Sequence, residues 1–311
     1  MDTLLSRGYE VPNSCRAGAC QSCLMQATSG AVPGQAQVGL KDTLRAQGYF
    51  LACRCQPEGD LAVRLPAPED VRTAATVSGL ERLAEHVLRL SLKPDAPFTY
   101  RAGQYATLWR NKTIGRSYSL ASVPGQDEEL EFHIKIIPGG RFSAWASGEL
   151  RLGDRLMIQG PSGNCFYVPE SKHKELLLIG TGSGLAPLYG ILRNALLAGH
   201  QANIQLFHGA VDPSGLYLAD KVQALADKHP NFRYHPAVLG ANSSPPVGVH
   251  VGSVDELALS TVPNLTGSKV YICGDPAFVN RLRKRIFLAG ASMGDIYVDA
   301  FLPPADGKQA A

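Results

Sequence analysis

Four cysteines near the front of the chain carry the most legible chemistry. Cys15, Cys20, Cys23 and Cys53 stand as C-x4-C-x2-C, followed by a further cysteine after a long gap. Four thiolates at that spacing suit the two irons of a [2Fe–2S] cluster. Ala17, Gly18 and Ala19 between them are small, so backbone N–H groups can approach the cluster sulfurs and, with burial, tune the potential. A zinc site would more naturally offer two close pairs, whereas the first group here already holds three cysteines. Buried packing is the other alternative, and it is the reading taken for Cys165. Cys55, two residues past Cys53, would share a strand face with it and stands as either a competing ligand or a packing residue.

Other segments suit phosphates and a bound redox group. RSYSL, Arg116 to Leu120, taken alone is an ordinary strand. PGGRFS (Pro138 to Ser143) and GPSG (Gly160 to Gly163) follow it among further strands, and that context makes it a candidate site. PGGRFS opens a helix after EFHIKII, and amides at a helix start, with a serine hydroxyl, form a natural pyrophosphate cradle. LLLIGTGSGLAP is an apolar strand, a glycine turn and a helix start. Its glycines at 180, 182 and 184 lack the two-residue gap of the dinucleotide fingerprint, so the generic motif is weak. YICGDP, Tyr271 to Pro276, is a buried strand delivering a turn.

Three textures must position these residues. Residues 1–66 are short, cysteine-rich and turn-rich; Leu61 to Leu65 alternates like a strand, and PAPED (Pro66 to Asp70) reads as a linker. Residues 70–168 form short strands, among them HVLRLSL, QYATLWR, RSYSLAS, ELEFHIKII and DRLMIQG, separated by Gly/Pro turns as in an antiparallel barrel. Residues 172–303 alternate strands (ELLLIG, NIQLFHGA, FRYHPAVL, KVYICGD, DIYVDAF) with helices, which implies a doubly wound parallel sheet. Residues 304–311 read as a flexible tail.

On these motifs the first segment resembles a plant-type ferredoxin, and the remainder is similar to the ferredoxin–NADP reductase superfamily. The order of the parts resembles the single-chain reductase components of bacterial ring-hydroxylating dioxygenases and multicomponent monooxygenases. The resemblance implies a β-grasp ferredoxin domain, a six-stranded FAD-binding β-barrel and an NAD-binding domain, with FAD favoured over FMN. It implies that RSYSL is the flavin motif: Arg116 can clamp the pyrophosphate, Tyr118 can pack on the isoalloxazine and Ser119 can hydrogen-bond near N5, with Ser117 among the cofactor-binding residues. His133 to Lys135 would line the adenosine side, with Gly140, Arg141, Phe142 and Ser143 on the phosphates. Thr181 would lie near the nicotinamide, Cys273 and Gly274 beside its reacting carbon, and Phe301 in VDAF would cover the flavin. Gly182, Gly184 and Asp275 are among the cofactor-binding residues, and Ser119, Cys273 and Phe301 form the catalytic set that the resemblance implies. Ferredoxin domains of this kind have a β-hairpin ahead of the first helix, whereas this chain begins at what reads as that helix. The expectation is a small sheet short of two strands, in a truncated chain or in a segment docked on the barrel.

NADH is favoured over NADPH. Between Leu206 and Asp220 there is no Lys or Arg, Asp212 would repel a 2′-phosphate, and Leu239 and Gly240 stand where NADPH-using relatives carry a Ser–Arg pair. Ser243 and Ser244 nearby could still donate to a phosphate. The reading is therefore hydride from NADH to FAD, then single electrons through the cluster to an oxygenase component or its ferredoxin, with no general base required. Rivals are the same chemistry serving a deoxysugar dehydratase, an NADH:dye or flavin reductase with an impaired ferredoxin segment, and a redox-sensing module without turnover. The full set of flavin and nicotinamide motifs argues against the last.

Composition closes off other classes. With 45% hydrophobic and 18% charged residues over 311 positions, the chain is globular and long enough for two or three domains. The net charge of +3 is spread thinly, and RLRKR (Arg281 to Arg285) on a helix reads as a solvated face, so nucleic acid is not expected. No apolar stretch is long enough to span a bilayer and the first residues carry no secretory pattern, so a cytoplasmic protein is expected.

Overall fold

The structure is a computed structural model and describes residues 1–9, 11, 23–65, 72–111, 114–240 and 246–301. Cys15, Cys20, the PAPED linker, Ser243, Ser244 and the tail lie outside the described residues. The chain divides into two compact units, Met1–Glu69 and Asp70–Ala311.

The first unit contains helix α1 (Asp2–Ser6), strand β1 (Leu24–Ser29), helix α2 (Asp42–Ala46) and strands β2 (Tyr49–Leu51) and β3 (Ala62–Arg64). Both partners run antiparallel to β1 in the order β2-β1-β3. Its small core holds Val11, Cys23, Met25, Leu40, Phe50 and Leu51. Two 3-10 turns, Gly34–Gln37 and Ala52–Arg54, pack on one another beside β2.

The second unit opens with β4 (Arg72–Ala84), β5 (Val87–Pro94), β6 (Tyr105–Trp109), β7 (Gly115–Ser119), β8 (Leu130–Lys135), helix α3 (Ser143–Gly148) and β9 (Arg155–Ser162). The six strands form one antiparallel sheet in the order β7-β6-β9-β4-β5-β8. An antiparallel bridge between Leu120 and Phe132 joins its two edges, as closure requires. Alternate residues such as Leu90, Leu92, Leu108, Phe132 and Ile158 point inward and are fully buried. β4, the longest strand, shows no clean alternation in sequence: Arg72, Glu81 and Arg82 lie along it and its register shifts between Val77 and Gly79.

The chain continues through β10 (Leu176–Thr181), α4 (Leu185–Leu197), β11 (Ile204–Ala210), α5 (Ala219–Lys228), β12 (Phe232–Val238), β13 (His250–Val251), α6 (Val254–Thr261), β14 (Lys269–Gly274), α7 (Pro276–Leu288) and β15 (Ile296–Ala300). These six strands are all parallel, in the order β13-β12-β11-β10-β14-β15. The unbroken apolar run of β10 follows from burial on both faces. Leu176 and Leu178 pack with Leu188, Ile191 and Leu192 of α4, while Leu177 and Ile179 pack with Val279, Leu282 and Ile286 of α7. The strand order turns back between β10 and β14, and the carboxyl ends of those two strands are the crevice where such sheets bind ligands. No helix among the described residues is long and apolar enough to cross a membrane.

Candidate functional site

At that turning point the backbones of two loops are pressed together. A Cβ at Gly184, where the GTGSG turn becomes α4, would lie 2.3 Å from the carbonyl oxygen of Cys273, so only glycine fits. Gly274 has φ +142°, and a Cβ there would meet Thr181 Oγ1 at 2.7 Å. Gly182, at φ +53°, faces open space at the mouth of the crevice. The nicotinamide-side residues Thr181, Gly184, Cys273 and Gly274 of the sequence reading thus converge on one floor.

The side chains of this floor are less uniform. The Cys273 thiol is fully buried, 3.9 Å from Cys165 Sγ, and burial pushes its pKa well up. The site therefore presents the Cys273–Gly274 backbone, with the thiol packed underneath. Asp275 caps α7, its Oδ1 accepting from the N–H groups of Ala277 at 2.9 Å and Phe278 at 3.3 Å. Phe301, half-buried, donates its N–H to the Gly274 oxygen at 2.9 Å, so the aromatic is fixed to the same loop.

From the antiparallel sheet, β7 delivers Ser119 to this point. Its Oγ donates to Asp299 Oδ2 at 2.6 Å, and Asp299 is the β15 partner of Cys273 in β14. Burial holds the Asp299 carboxyl above its ordinary range, partly opposed by the Ser119 hydrogen bond. Tyr105, opposite Ser119 in β6, is pushed up by burial and by the Asp299 charge. Asp299 was missed from sequence, although an acid inside the apolar strand IYVDAF, two residues before Phe301, is a visible signal.

The rest of the flavin set is arranged along β7 and around α3. Arg116 is half-buried, its Nη1 donating to the Gly115 oxygen at 2.7 Å; among the described residues it forms no ion pair, which suits it to an external anion. Ser117 is exposed and shares a 2.9 Å hydrogen bond with Thr107 Oγ1. The Tyr118 ring stands 5.4 Å from that of Phe142, and burial raises its phenol pKa. Ser143 Oγ accepts from the Ile137 N–H at 3.1 Å, and a Cβ at Gly140 would strike that hydroxyl at 2.5 Å, so the PGGRFS turn is tight. Arg141 is exposed. An uncommitted cation, an apolar ring surface and a tight turn ahead of α3 fit a dinucleotide flavin.

His133 and Lys135 diverge. Lys135 is exposed at the end of β8, whereas the His133 ring is buried between Glu131 Oε1 at 2.7 Å and the Tyr217 hydroxyl at 3.2 Å. The histidine ring therefore ties the antiparallel sheet to the loop after β11 and is not presented to a ligand. Arg193 of α4 adds a two-pronged pair with Asp127, at 2.7 and 2.8 Å.

In the first unit, the Ala52 N–H donates to the Cys23 carbonyl at 3.0 Å, and Leu24 pairs with Leu51. Cys23 and Cys53 are thus brought to the same end of β1, as two ligands of one cluster need. Cys55 is half-buried one residue past the turn, and burial raises its thiol pKa.

Three family models match the chain: a 2Fe-2S iron-sulfur cluster binding domain at residues 1–58, an oxidoreductase FAD-binding domain at 75–167 and an oxidoreductase NAD-binding domain at 178–284. The ferredoxin–NAD(P)(+) reductase component of the Pseudomonas putida naphthalene 1,2-dioxygenase system is 31% identical over 97% of this chain and 93% of that protein. The phenol 2-monooxygenase reductase component of a Pseudomonas species is 31% identical over 99% and 90%. Among solved structures, the Amycolatopsis cytochrome P450 reductase GcoB is similar with a TM-score of 0.71 and 32% identity, covering 96% of this chain and 93% of that one.

Proposed function

The chain belongs to the ferredoxin–NADP reductase superfamily, among the reductase components that carry an N-terminal [2Fe–2S] domain, and from that premise we propose which residues serve each step of its electron transfer and what receives the electrons. The chain is an oxidoreductase of the ferredoxin-reductase type, driven by a nicotinamide cofactor and equipped for FAD and a [2Fe–2S] cluster. When bound, these groups supply hydride transfer, then release of electrons one at a time.

The protein's own part is alignment. Arg116 holds the flavin pyrophosphate, Tyr118 backs the ring, and Ser119, held by Asp299, fixes a hydroxyl beside the reacting edge. Thr181, Gly184 and Gly274 shape the crevice that would hold the nicotinamide against the Cys273–Gly274 backbone. Cys15, Cys20, Cys23 and Cys53 hold the cluster. NADH is the preferred donor, and the acceptor is an oxygenase component or its ferredoxin. The supporting observation is the Ser119–Asp299 bond, which brings the flavin motif, the CGDP segment and the closing DAF segment to one point.

The test is an anaerobic visible spectrum of the purified protein before and after excess NADH, enough to supply the three electrons that flavin and cluster together accept, with iron and sulfide analysis. Flavin and cluster absorbance should both bleach, with two irons and two sulfides per chain. Stoichiometric zinc, or a flavin that bleaches while the cluster does not, would sink the assignment.

A further inference from the structure

We propose that the cluster end of the first unit is a cationic docking face, built around Arg54 and Val38, that receives an acceptor protein presenting carboxylates. The proposal rests on Cys53 being a cluster ligand. Arg54 is the next residue, in the same 3-10 turn, and is exposed. That turn packs against the turn Gly34–Gln37, whose next residue, Val38, is 58% exposed. A large apolar group and a guanidinium therefore border the ligand-bearing turn, the pairing of residue types on which small protein interfaces concentrate their energy.

From Val11 to Leu40 the sequence holds no acidic residue. The unit also holds the acids Asp42, which stands between Lys41 and Arg45 at the start of α2, and Glu58, four residues past Arg54. The exposed acid Asp60 belongs to the opposite end: its carbonyl lies against Gly30, and Ser29 at the far end of β1 pairs with Ala62. Six strand residues put that end about 17 Å from the Leu24–Leu51 pair beside Cys23 and Cys53. An acceptor must approach the cluster end, because electron transfer decays steeply with distance, and an acidic partner is steered there while a basic one is repelled.

The test uses the full-length holoprotein and two haem acceptors, acidic cytochrome b5 and basic cytochrome c. With cytochrome b5, kcat/KM should fall as ionic strength rises from about 20 mM to about 300 mM, as attraction is screened. Arg54→Glu should lower it about tenfold and raise the cytochrome c value, with ferricyanide turnover unchanged. Val38→Glu and Val38→Lys keep the test decisive if Arg54→Glu sheds iron: the first should weaken and the second strengthen reduction of cytochrome b5, in opposite order for cytochrome c. Salt-independent rates, or the same response of both acceptors to charge at positions 38 and 54, would overturn the docking face. Absence of iron from the wild-type protein would overturn the cluster reading beneath it, which is a separate result.

Discussion

Ser119 Oγ donates a 2.6 Å hydrogen bond to Asp299 Oδ2, joining β7 to β15 across 180 positions of sequence. A buried carboxylate as acceptor fixes the direction of the hydroxyl, so the serine's lone pairs face away from Asp299. Asp299→Asn keeps a hydrogen-bonding group but loses the charge that sets this direction. Flavin reduction by NADH, followed by anaerobic stopped flow, should slow about tenfold, close to 1.4 kcal/mol. Ser119→Ala should slow it similarly, and the double variant should be no slower than either single one. Additive losses would mean that the two side chains act independently.

The same carboxyl gives a pH signature. Its folded pKa is raised, so the folded state holds the proton more tightly than the unfolded chain. Its penalty is absent below the ordinary value of 3.8 and grows as pH rises through the raised one. Asp299→Asn should therefore be more stable than wild type at pH 7 and equal to it near pH 4. A gain of the same size at both pH values would refute burial as its source.

His208 sets the opposite trend. Fully buried, with Nε2 lacking a hydrogen-bond partner among the described residues, it is held down to a pKa of about 3. His200 and His235 are depressed for the same reason, loss of solvation. Depressed histidines contribute stability above the unfolded value of 6.5 that is lost as pH falls toward their folded values. Tm should drop between pH 6.5 and about 4, and His208→Gln should make that slope shallower. An unchanged slope would place the acid sensitivity elsewhere.

Nucleotide choice should follow the ends of β11 and β12. Asp212 Oδ1 accepts from the Ser214 N–H at 2.9 Å and from its hydroxyl, which keeps the carboxyl below its usual range and ionised. Leu239 is 64% exposed beside it, its N–H on the Ala210 oxygen. kcat/KM should be at least about tenfold higher with NADH than NADPH, and Asp212→Ser combined with Leu239→Arg should narrow that ratio. Equal wild-type values would require a phosphate site elsewhere.

Much of this was legible because each motif is local. The GTGSG turn is written in residues a strand and helix must place next to one another, and β10 and β14 read as apolar runs because both their faces are covered. The short strands β5, β6, β8 and β9 fall within a residue or two of their patterns, whereas β7 ends at Ser119, three residues short of the RSYSLAS pattern. What was not legible depends on contacts between distant segments. The Asp299 carboxyl gains its meaning from a β7 serine, and the Cys273 thiol lies under the site because Cys165 packs against it. His133 looked ligand-facing by resemblance, but Glu131 and Tyr217 occupy both ring nitrogens.

The order of electron flow can be separated by two substitutions. If electrons run from NADH through flavin and cluster to the acceptor, each end of the chain should fail differently. Arg116→Ala removes a charge-assisted clamp and should cost flavin occupancy, abolishing ferricyanide and cytochrome c reduction together. Cys53→Ser removes a thiolate from the turn Ala52–Arg54 and leaves the second unit intact. NADH should still bleach its flavin, and ferricyanide, which takes electrons from flavin directly, should still be reduced at the wild-type rate. Cytochrome c, a bulky one-electron acceptor, should be reduced at least about tenfold more slowly, since its route through the cluster is gone. Cys55→Ser, two positions on, should leave both rates alone if that thiol only packs. Should Cys53→Ser reduce cytochrome c as fast as wild type, the cluster is off the path and the chain is a flavin reductase with an idle front unit.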